Sequence, residues 1–286
     1  MKRLLRWIGI GLASLAGLSL LAYAVLYVLS ERALRRTYAV PAAAISIPTD
    51  PASVLEGRRL ATVRGCVDAC HGKEAAGLVL FDEPMIARVV APNLTAAVRK
   101  FSDAELAAVI RNGVRPDGRS MLVMPSEVFA ALTDEDLGRI IAFVKNLPAA
   151  TGPGPEVSLG PLGRIGIVSG EFKTAAQLIA KTVPPPDATS QEATFGRYLA
   201  RTTCAECHGT GLRGASNPSF TSPNLQVVAA YSADAFAQLL RTGVALGGRK
   251  LGMMREAAQS RLSLLTDGEI TALYSYLHDM PAGTAN

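Results

Sequence analysis

A seven-residue segment at 203–209, TCAECHG, brings two thiols and an imidazole close together. Cys204 and Cys207 are three positions apart, so on a helix they lie about one turn apart on one face. Thiols at this spacing can add to the two vinyl groups on one edge of a porphyrin, and His208 then lies under the iron and ligates it. Cys-x-x-Cys-His is the attachment motif of c-type haem. The segment therefore predicts a covalently bound haem.

Two other kinds of site use paired cysteines. A redox dithiol needs no histidine at the next position, and a zinc site needs two further ligands beyond a cysteine pair. The chain has four cysteines, in two groups with none left over. This distribution fits two haem sites better than either alternative.

The other cysteine group contains Cys66, Cys70 and His71, with one residue more between the thiols than the motif has. The additional residue requires a bulge between the two cysteines. Taken alone, the group would also suit a surface loop closed by a disulfide, since three intervening residues permit one. Its place in an internal repeat favours a haem here as well.

The repeat covers most of the chain after residue 50, and its landmarks recur in the same order. The matched pairs are GRRLA at 57–61 with GRYLA at 196–200, the two cysteine groups, PNL at 92–94 and 223–225, IRNGV at 110–114 with LRTGV at 240–244, and LTD at 132–134 and 265–267. Both cysteine groups stand at the same place in this order. The sequence thus predicts two domains of one kind.

Helix start and stop signals divide each copy. Ser or Thr followed three residues later by Glu has capping-box spacing, as in Ser53 with Glu56 and Thr266 with Glu269. Gly and Pro supply the ends, and no run of alternating β-branched residues indicates a strand. The predicted fold is all-α, with helices near 54–64, 103–111, 134–147, 191–201, 233–241 and 267–280.

Five segments follow from these patterns. They are an N-terminal membrane anchor at 1–30, a tether at 31–49, a first domain at 50–148, a linker at 149–189 and a second domain at 190–286. The linker contains TGPGP and VPPP around one short predicted helix at 173–182, and we expect it to pack on a surface.

The anchor prediction depends on the 23 uncharged residues from Trp7 to Leu29. As a helix they would cover roughly 34 Å, enough to cross a bilayer. Trp7, Tyr23 and Tyr27 suit the interfacial belts of a membrane. A cleaved signal peptide is the alternative, because AYA at 22–24 has the small-x-small pattern. The apolar run continues past that point, which favours an uncleaved transmembrane helix.

The charge of the chain excludes one class of partner. Of the formal net charge of +5, three units come from Lys2, Arg3 and Arg6, which leaves the rest of the chain close to neutral. Its basic residues form no stripe and are not interleaved with aromatics, so we expect no nucleic acid partner.

Haem iron takes a second ligand on the face opposite its histidine, and methionine there raises the reduction potential. Met121 and Met124 in the first copy, and Met253 and Met254 in the second, precede the last helix. Methionine is more often a core residue, but its presence in one window of both copies favours ligation. We favour Met124, which Pro125 follows, and Met254; Met121 and Met253 are the alternatives.

On these residues the two copies resemble class I cytochrome c domains, and the chain resembles membrane-anchored dihaem cytochromes c of bacteria, related to cytochrome subunits of periplasmic dehydrogenases. The resemblance covers about 50–148 and 190–282 and includes APNLT, SPNLQ, MPSEVFAALTDED and MMREAAQSRLSLLTDGE. It implies that the carbonyl oxygens of Pro92 and Pro223 accept the ring N–H of the ligating histidines. A turn-shaping role is the alternative for both prolines.

Three further residues each have two interpretations. His278, in the predicted last helix, is an exposed helix residue or replaces Met254 as an iron ligand. Arg111 and Arg241 favour the carbonyl ends of their helices, or they pair with haem propionates.

The function predicted is single-electron transfer by two covalently bound haem c groups rather than enzymatic catalysis, with iron ligated by His71, Met124, His208 and Met254. Bacterial thioether attachment takes place outside the cytoplasm. We therefore expect a single-pass protein of the bacterial cytoplasmic (inner) membrane with residues 31–286 in the periplasm. The expected redox partners are a quinol-side or dehydrogenase donor and an oxidase or soluble cytochrome acceptor.

Two alternative functions remain at this point. A dihaem peroxidase needs one iron with an open or displaceable ligand position, and the methionines in both copies argue against it. The second alternative is the cytochrome subunit of one particular membrane-bound dehydrogenase complex.

Overall fold

The computed structural model describes residues 1–40, 44–154, 156–216 and 220–281. Parts of three predicted segments lie outside the described residues, namely 41–43 of the tether, 155 of the linker, and 217–219 and 282–286 of the second domain. Most of the described chain is helical, so the prediction of an all-α fold is confirmed.

The helices lie close to the predicted ranges. In chain order the α-helices are α1 (Lys2–Leu34), α2 (Pro51–Val63), α3 (Leu94–Ala97), α4 (Asp103–Asn112), α5 (Ser126–Phe129), α6 (Asp134–Asn146), α7 (Pro161–Ser169), α8 (Ala175–Ile179), α9 (Gln191–Leu199), α10 (Ala205–His208), α11 (Ala233–Thr242), α12 (Gly252–Ser260) and α13 (Asp267–His278). Single π-helical turns cover Cys66–Cys70 and Ala200–Cys204, and 3-10 turns cover Lys73–Ala75, Leu225–Ala230, Leu246–Gly248 and Leu262–Leu264.

Each domain is built on the contact between its first and last helices, α2 with α6 and α9 with α13. Gly57 and Gly196 lie at these two crossings. A Cβ added at Gly57 would meet the backbone carbonyl of Arg139, and one added at Gly196 would meet that of Ala272. Because glycine has no Cβ, the two helix backbones can approach closely. This explains why GRxLA recurs in the repeat.

Gly196→Ala should lower the free energy of unfolding by about 1–3 kcal/mol, because the new methyl group forces α9 away from α13. Gly268→Ala is the matched control, since nothing lies within 4 Å of a Cβ built there. Denaturant unfolding of both variants checks the prediction. Equal stability of the two variants would mean that the crossing tolerates a side chain.

The two domains share one continuous hydrophobic core rather than packing as separate bodies. The turn Ala200–Cys204 of the second domain lies against α5 of the first, and Leu262–Leu264 lies against α2. The apolar contact between the domains therefore involves the segment that precedes Cys204.

Equivalent positions of the two copies meet across this boundary. Arg59, two residues after Gly57, forms an ion pair of 2.7 Å with Glu269, the third residue of α13. Tyr198, two residues after Gly196, donates a hydrogen bond of 2.5 Å to Asp136, the third residue of α6. A surface that meets its own counterpart is the arrangement of a two-fold symmetric dimer. The duplicated domains are thus joined about an approximate internal two-fold axis.

A small antiparallel sheet, absent from the sequence prediction, is added to the first domain. Its strands are β1 (Leu78–Glu83), β2 (Ala87–Ala91) and β3 (Glu156–Leu159), in the order β1-β2-β3. A two-stranded ribbon in the second domain pairs β4 (Ala215–Ser216) with β5 (Thr221–Ser222). Since β3 belongs to the predicted linker, the linker completes the sheet instead of merely crossing the surface.

The rest of the linker also makes defined contacts. Its helix α7 packs on α1, and α8 packs on α4 and α5. The predicted helix at 173–182 is present only as α8 (Ala175–Ile179), preceded by a capping box between Thr174 and Gln177. Both parts of the linker therefore lie against elements that precede it in the chain.

The N-terminal helix α1 is long and apolar enough to cross a membrane by its length and composition, with a mean hydropathy of 2.1 over its most apolar window. None of that window is buried against the rest of the protein. Such a helix at the N-terminus is a membrane anchor or a signal sequence.

Candidate haem-attachment sites

The second cysteine motif lies on one irregular helix. A π-helical turn over Ala200–Cys204 leads directly into α10, which carries Ala205 to His208. Gly209 then turns the chain away with a φ of 75°, a conformation that favours glycine. The two thiols and the imidazole are thus presented within a single short element.

The first motif forms a similar turn with one more residue in it. The backbone N–H of Cys70 donates to the carbonyl oxygen of Gly65 at 3.0 Å, and that of His71 donates to Cys66 at 3.0 Å. Both bonds span five residues, as in a π-helix. Within the turn Val67 is extended and buried, while Asp68 is left-handed, with a φ of 62°. The additional residue is accommodated as the bulge that the sequence requires.

Asp68→Val should destabilise the protein by about 1 kcal/mol, because a β-branched side chain strongly disfavours the left-handed conformation. Asp68→Asn is the control and should be close to neutral, since Asn adopts this conformation readily. Thermal unfolding of the two variants measures the difference. A neutral Asp68→Val would show that the bulge is not fixed in this form.

Both motif histidines are held in the same way. His71 Nδ1 lies 2.9 Å from the carbonyl oxygen of Pro92, and His208 Nδ1 lies 2.9 Å from that of Pro223. Burial lowers the pKa of both imidazoles despite these carbonyl contacts, so each ring is neutral with its proton on Nδ1. This leaves Nε2 with a free lone pair, as an iron ligand requires.

All four cysteines lie within the described residues, and none of them forms a disulfide. Burial raises the pKa of Cys66 and of Cys204 to about 12, and it also raises the pKa of Cys70 and Cys207. Zinc binds cysteine as the thiolate, so neutral thiols of this kind are poor zinc ligands. The part of the chain that the structure describes also has no group of three or more His, Cys, Asp or Glu side chains able to hold a metal ion. The chemistry of the donor set fits haem c.

The four candidate methionines differ in their surroundings. Met124 and Met254 are partly buried and pack against the hydrophobic core. Met253 is 53% exposed. Met121 is held by its backbone, which donates to Gly113 and accepts from Ala175. Packing thus separates Met124 and Met254 from their neighbours.

The other three residues considered from the sequence have partners within the protein. His278 is exposed at the end of α13 and lies 2.8 Å from Asp279. Arg111 donates to the carbonyl oxygen of Leu132 and pairs with the carboxylate of Asp134 at the start of α6. Arg241 makes the equivalent contacts in the second copy, with Leu265 and Asp267. Both arginines therefore tie one helix to the start of the last one.

The two cysteine motifs, at 65–71 and 204–209 and called the attachment segments below, lie close to each other across the domain boundary. The Cys207 thiol is near enough to Cys70 to contribute to its raised pKa, behind burial and Glu206. Arg261 pairs with Glu206 at 3.3 Å. A Cβ added at Gly65 would meet the Arg261 guanidinium. One arginine therefore touches the first attachment segment and pairs with a residue of the second.

Sequence reasoning missed these contacts. Glu206 is one of the variable positions within the second motif. Arg261 lies between α12 and the last helix, a region in which the sequence indicated only the methionines and LTD. Arg64 was also missed. The structure buries it beside the first cysteine motif, which is unusual for an arginine. Charged positions that do not match between the two repeats were the available signal.

Each of the two domains matches a family model. Residues 52–144 match the family model "Cytochrome C oxidase, cbb3-type, subunit III", and residues 193–281 match the model "Cytochrome c". Domains of this type carry covalently bound haem c, so the prediction of that cofactor is confirmed.

Curated relatives match most of the chain. The "Fructose dehydrogenase cytochrome subunit" of Gluconobacter japonicus is 27% identical over 270 residues, covering 82% of this chain and 55% of that protein. The "Alcohol dehydrogenase (quinone), cytochrome c subunit" of Gluconacetobacter polyoxogenes and that of Komagataeibacter europaeus are each 24% identical over 269 residues, covering 81% of this chain and 57% of the relative. The chain thus spans just over half the length of these relatives. Their names agree with the prediction of an electron-transfer component rather than a catalytic one.

Proposed function

Because this chain is a c-type cytochrome related to the cytochrome subunits of dehydrogenases, we propose that it is a dihaem electron carrier. It accepts single electrons from the catalytic subunit of a membrane-bound dehydrogenase and passes them towards a quinone-side, oxidase or soluble cytochrome acceptor. The relatives serve a fructose dehydrogenase and quinone alcohol dehydrogenases, which favours a sugar- or alcohol-oxidising donor.

The observation that carries this proposal is the closeness of two equivalent attachment segments. Cys207 is near enough to Cys70 to contribute to its raised pKa, and Arg261, which pairs with Glu206 of the second motif, lies against Gly65 beside the first. The boundary itself is a continuous core closed by the ion pair of Arg59 and Glu269. Two redox groups attached to such a rigid frame keep a fixed relation to each other, which is what repeated electron transfer between them needs.

The side chains have distinct roles in this scheme. Each haem, when bound, would supply a one-electron iron couple. Cys66 and Cys70 would hold the first haem by thioether bonds, and His71 Nε2 would ligate its iron while Pro92 keeps the ring proton on Nδ1. In the second domain the same roles fall to Cys204, Cys207, His208 and Pro223.

A methionine ligand in addition to the histidine would distinguish this carrier from a catalyst. We assign Met124 to the first site and Met254 to the second, because both pack against the core. Iron with ligands on both faces is low-spin and does not bind peroxide readily. The partly buried position of these methionines supports a carrier with closed coordination.

Met254→Leu should convert the second site from low-spin to high-spin iron, because leucine fills the space without offering a sulfur lone pair. Met253→Leu is the matched control and should leave the spectrum unchanged, since Met253 is 53% exposed. Ultraviolet-visible and electron paramagnetic resonance spectra of the two variants measure the change. A high-spin haem with peroxidase turnover in the unaltered protein would instead support the peroxidase function.

The proposed location is the bacterial inner membrane, with α1 as a single-pass anchor and both domains in the periplasm. The apolar length of α1 and the extracytoplasmic site of thioether attachment support it. The dehydrogenase assignment is tested by isolating the tagged, membrane-extracted protein and identifying what accompanies it. Recovery of a flavin- or quinone-containing dehydrogenase subunit supports the proposal, and recovery of the cytochrome alone from intact membranes contradicts it.

A further inference from the structure

The linker helix α7 has one face packed against α1 and another face that is about half exposed. Gly163, Arg164, Gly166 and Ile167 are buried, whereas Leu162, Ile165 and Val168 are between 43% and 51% exposed. Spacing of three residues places these apolar side chains on one stripe of the helix. Phe172, whose ring lies against Gly166, and Met85, beside the start of α7, are also about half exposed.

Arg164 fixes the position of α7 along the axis of α1. Its guanidinium lies 3.9 Å from the ring centre of Tyr27, donates to Ser30 Oγ at 2.7 Å and pairs with Glu31 at 3.0 Å. These three residues span the last part of α1. The short helix is therefore attached at the end of the apolar segment, and its buried charge is neutralised there.

The geometry of α1 gives the depth of that point in a bilayer. Trp7 and Tyr27 are separated by 20 residues, which is about 30 Å of helix and matches the hydrocarbon thickness of a typical membrane. If Trp7 lies at one interface, Tyr27 lies at the other. The apolar stripe beside Tyr27 is then at the boundary between headgroups and acyl chains.

We propose that α7 is a second membrane contact, an interfacial helix whose stripe of Leu162, Ile165 and Val168 inserts into the outer leaflet beside α1. This rests on the proposed retention of α1 as an anchor and adds to it. One helix alone leaves the domains free to tilt about its end. A second contact fixes the orientation of the first domain, and with it the attachment segments, relative to the membrane plane.

A lipid surface accounts for the stripe better than a protein partner does. Leu162, Ile165 and Val168 are aliphatic and form a narrow row on the helix that packs against α1, where Val28 and Leu29 are also exposed. Short amphipathic helices bury such a face by about 5–10 Å in the interfacial region. A protein partner at this position is one of the outcomes that the experiment separates.

The experiment uses the full chain carrying haem, reconstituted in phosphatidylcholine nanodiscs, with a nitroxide attached to one introduced cysteine at a time. Ile165→Cys and Val168→Cys report on the stripe, Leu20→Cys reports on α1, and Val227→Cys is a control of similar exposure on the second domain. Collision with oxygen, which concentrates in lipid, is compared with collision with a water-soluble nickel complex. The protein without an introduced cysteine controls for labelling of the native thiols.

We expect the oxygen-to-nickel accessibility ratio at 165 and 168 to exceed that at 227 several-fold and to remain below that at 20. A ratio at 165 and 168 equal to that at 227, with a high ratio at 20, would overturn the interfacial helix while leaving the anchor intact. Protection of 165 and 168 from both reagents would overturn it in favour of a protein contact. A low ratio at 20 would instead contradict the proposed anchor.

Discussion

Cys204→Ala together with Cys207→Ala should remove one haem from the protein and leave the other. The thioether bonds hold the group covalently, so their loss takes one haem from the intact mass and about half of the haem absorbance of the purified protein. Cys66→Ala with Cys70→Ala should have the same effect through the other domain. Intact mass spectrometry of the two double variants, beside the unaltered chain, measures the number of haems directly.

The two double variants also test the irregular motif against the regular one. If the first motif holds no haem, the unaltered protein carries a single haem and the Cys66 and Cys70 variant has the same haem content. Loss of both haems from either variant would mean that the domains cannot fold independently, since they share one core. Single variants such as Cys204→Ala keep one thioether bond and should therefore keep their haem. They distinguish a protein that cannot fold without the second haem from one that simply fails to attach it.

Much of the fold follows from local signals in the sequence. The capping box of Thr266 and Glu269 starts α13 at the predicted residue, and Ser102 with Glu105 starts α4 in the same way. The start of α2 differs, because Asp50 caps the helix by accepting from Ser53 N–H, and Pro51 occupies the first helical turn. A cap depends on a few neighbouring residues, so sequence alone locates it within a turn.

The small sheet was not predictable in this way. The sequence of β1, LVLFDE, does not alternate between apolar and polar residues. All six residues are exposed, so no buried face requires such an alternation. Its neighbour β2 is completed by β3, whose Val157 pairs with Val89 from far along the chain. The folded linker brings β3 to β2, and a short window of sequence does not include both strands.

The attachment sites were predictable because each motif is local, whereas their relation was not. His71 and Pro92 are 21 residues apart and were connected only by resemblance to a known fold. Arg261 reaches Gly65 and Arg64 reaches Tyr198 across the boundary between the domains. These contacts follow from the approximate two-fold packing of the repeat, which a list of matched landmarks does not specify.

Arg64 is the most deeply buried charge at the domain boundary. Its side chain is 1% exposed, and it donates to Asp136 at 2.8 Å. Tyr198 from the second domain donates to the same carboxylate at 2.5 Å. Burial raises the pKa of Tyr198, and the neighbouring Asp136 carboxylate acts in the same direction, so the hydroxyl keeps its proton for this bond. The Asp136 carboxylate therefore depends on donors from both domains.

Arg64→Met should lower the free energy of unfolding by about 3 kcal/mol, because it leaves the Asp136 carboxylate without its cation in a partly buried position. Arg139→Met, which breaks an ion pair between α6 residues with Glu135, should cost about 0.5 kcal/mol or less. Combining Arg64→Met with Asp136→Asn should recover part of the loss, since the charge is then removed with its partner. Denaturant unfolding of the four proteins measures these terms. Equal losses for Arg64→Met and Arg139→Met would show that the buried charge stabilises the protein no more than the Arg139–Glu135 ion pair does. The expected order would show that the Asp136 carboxylate, which Tyr198 of the second domain also contacts, needs the Arg64 cation beside the first motif.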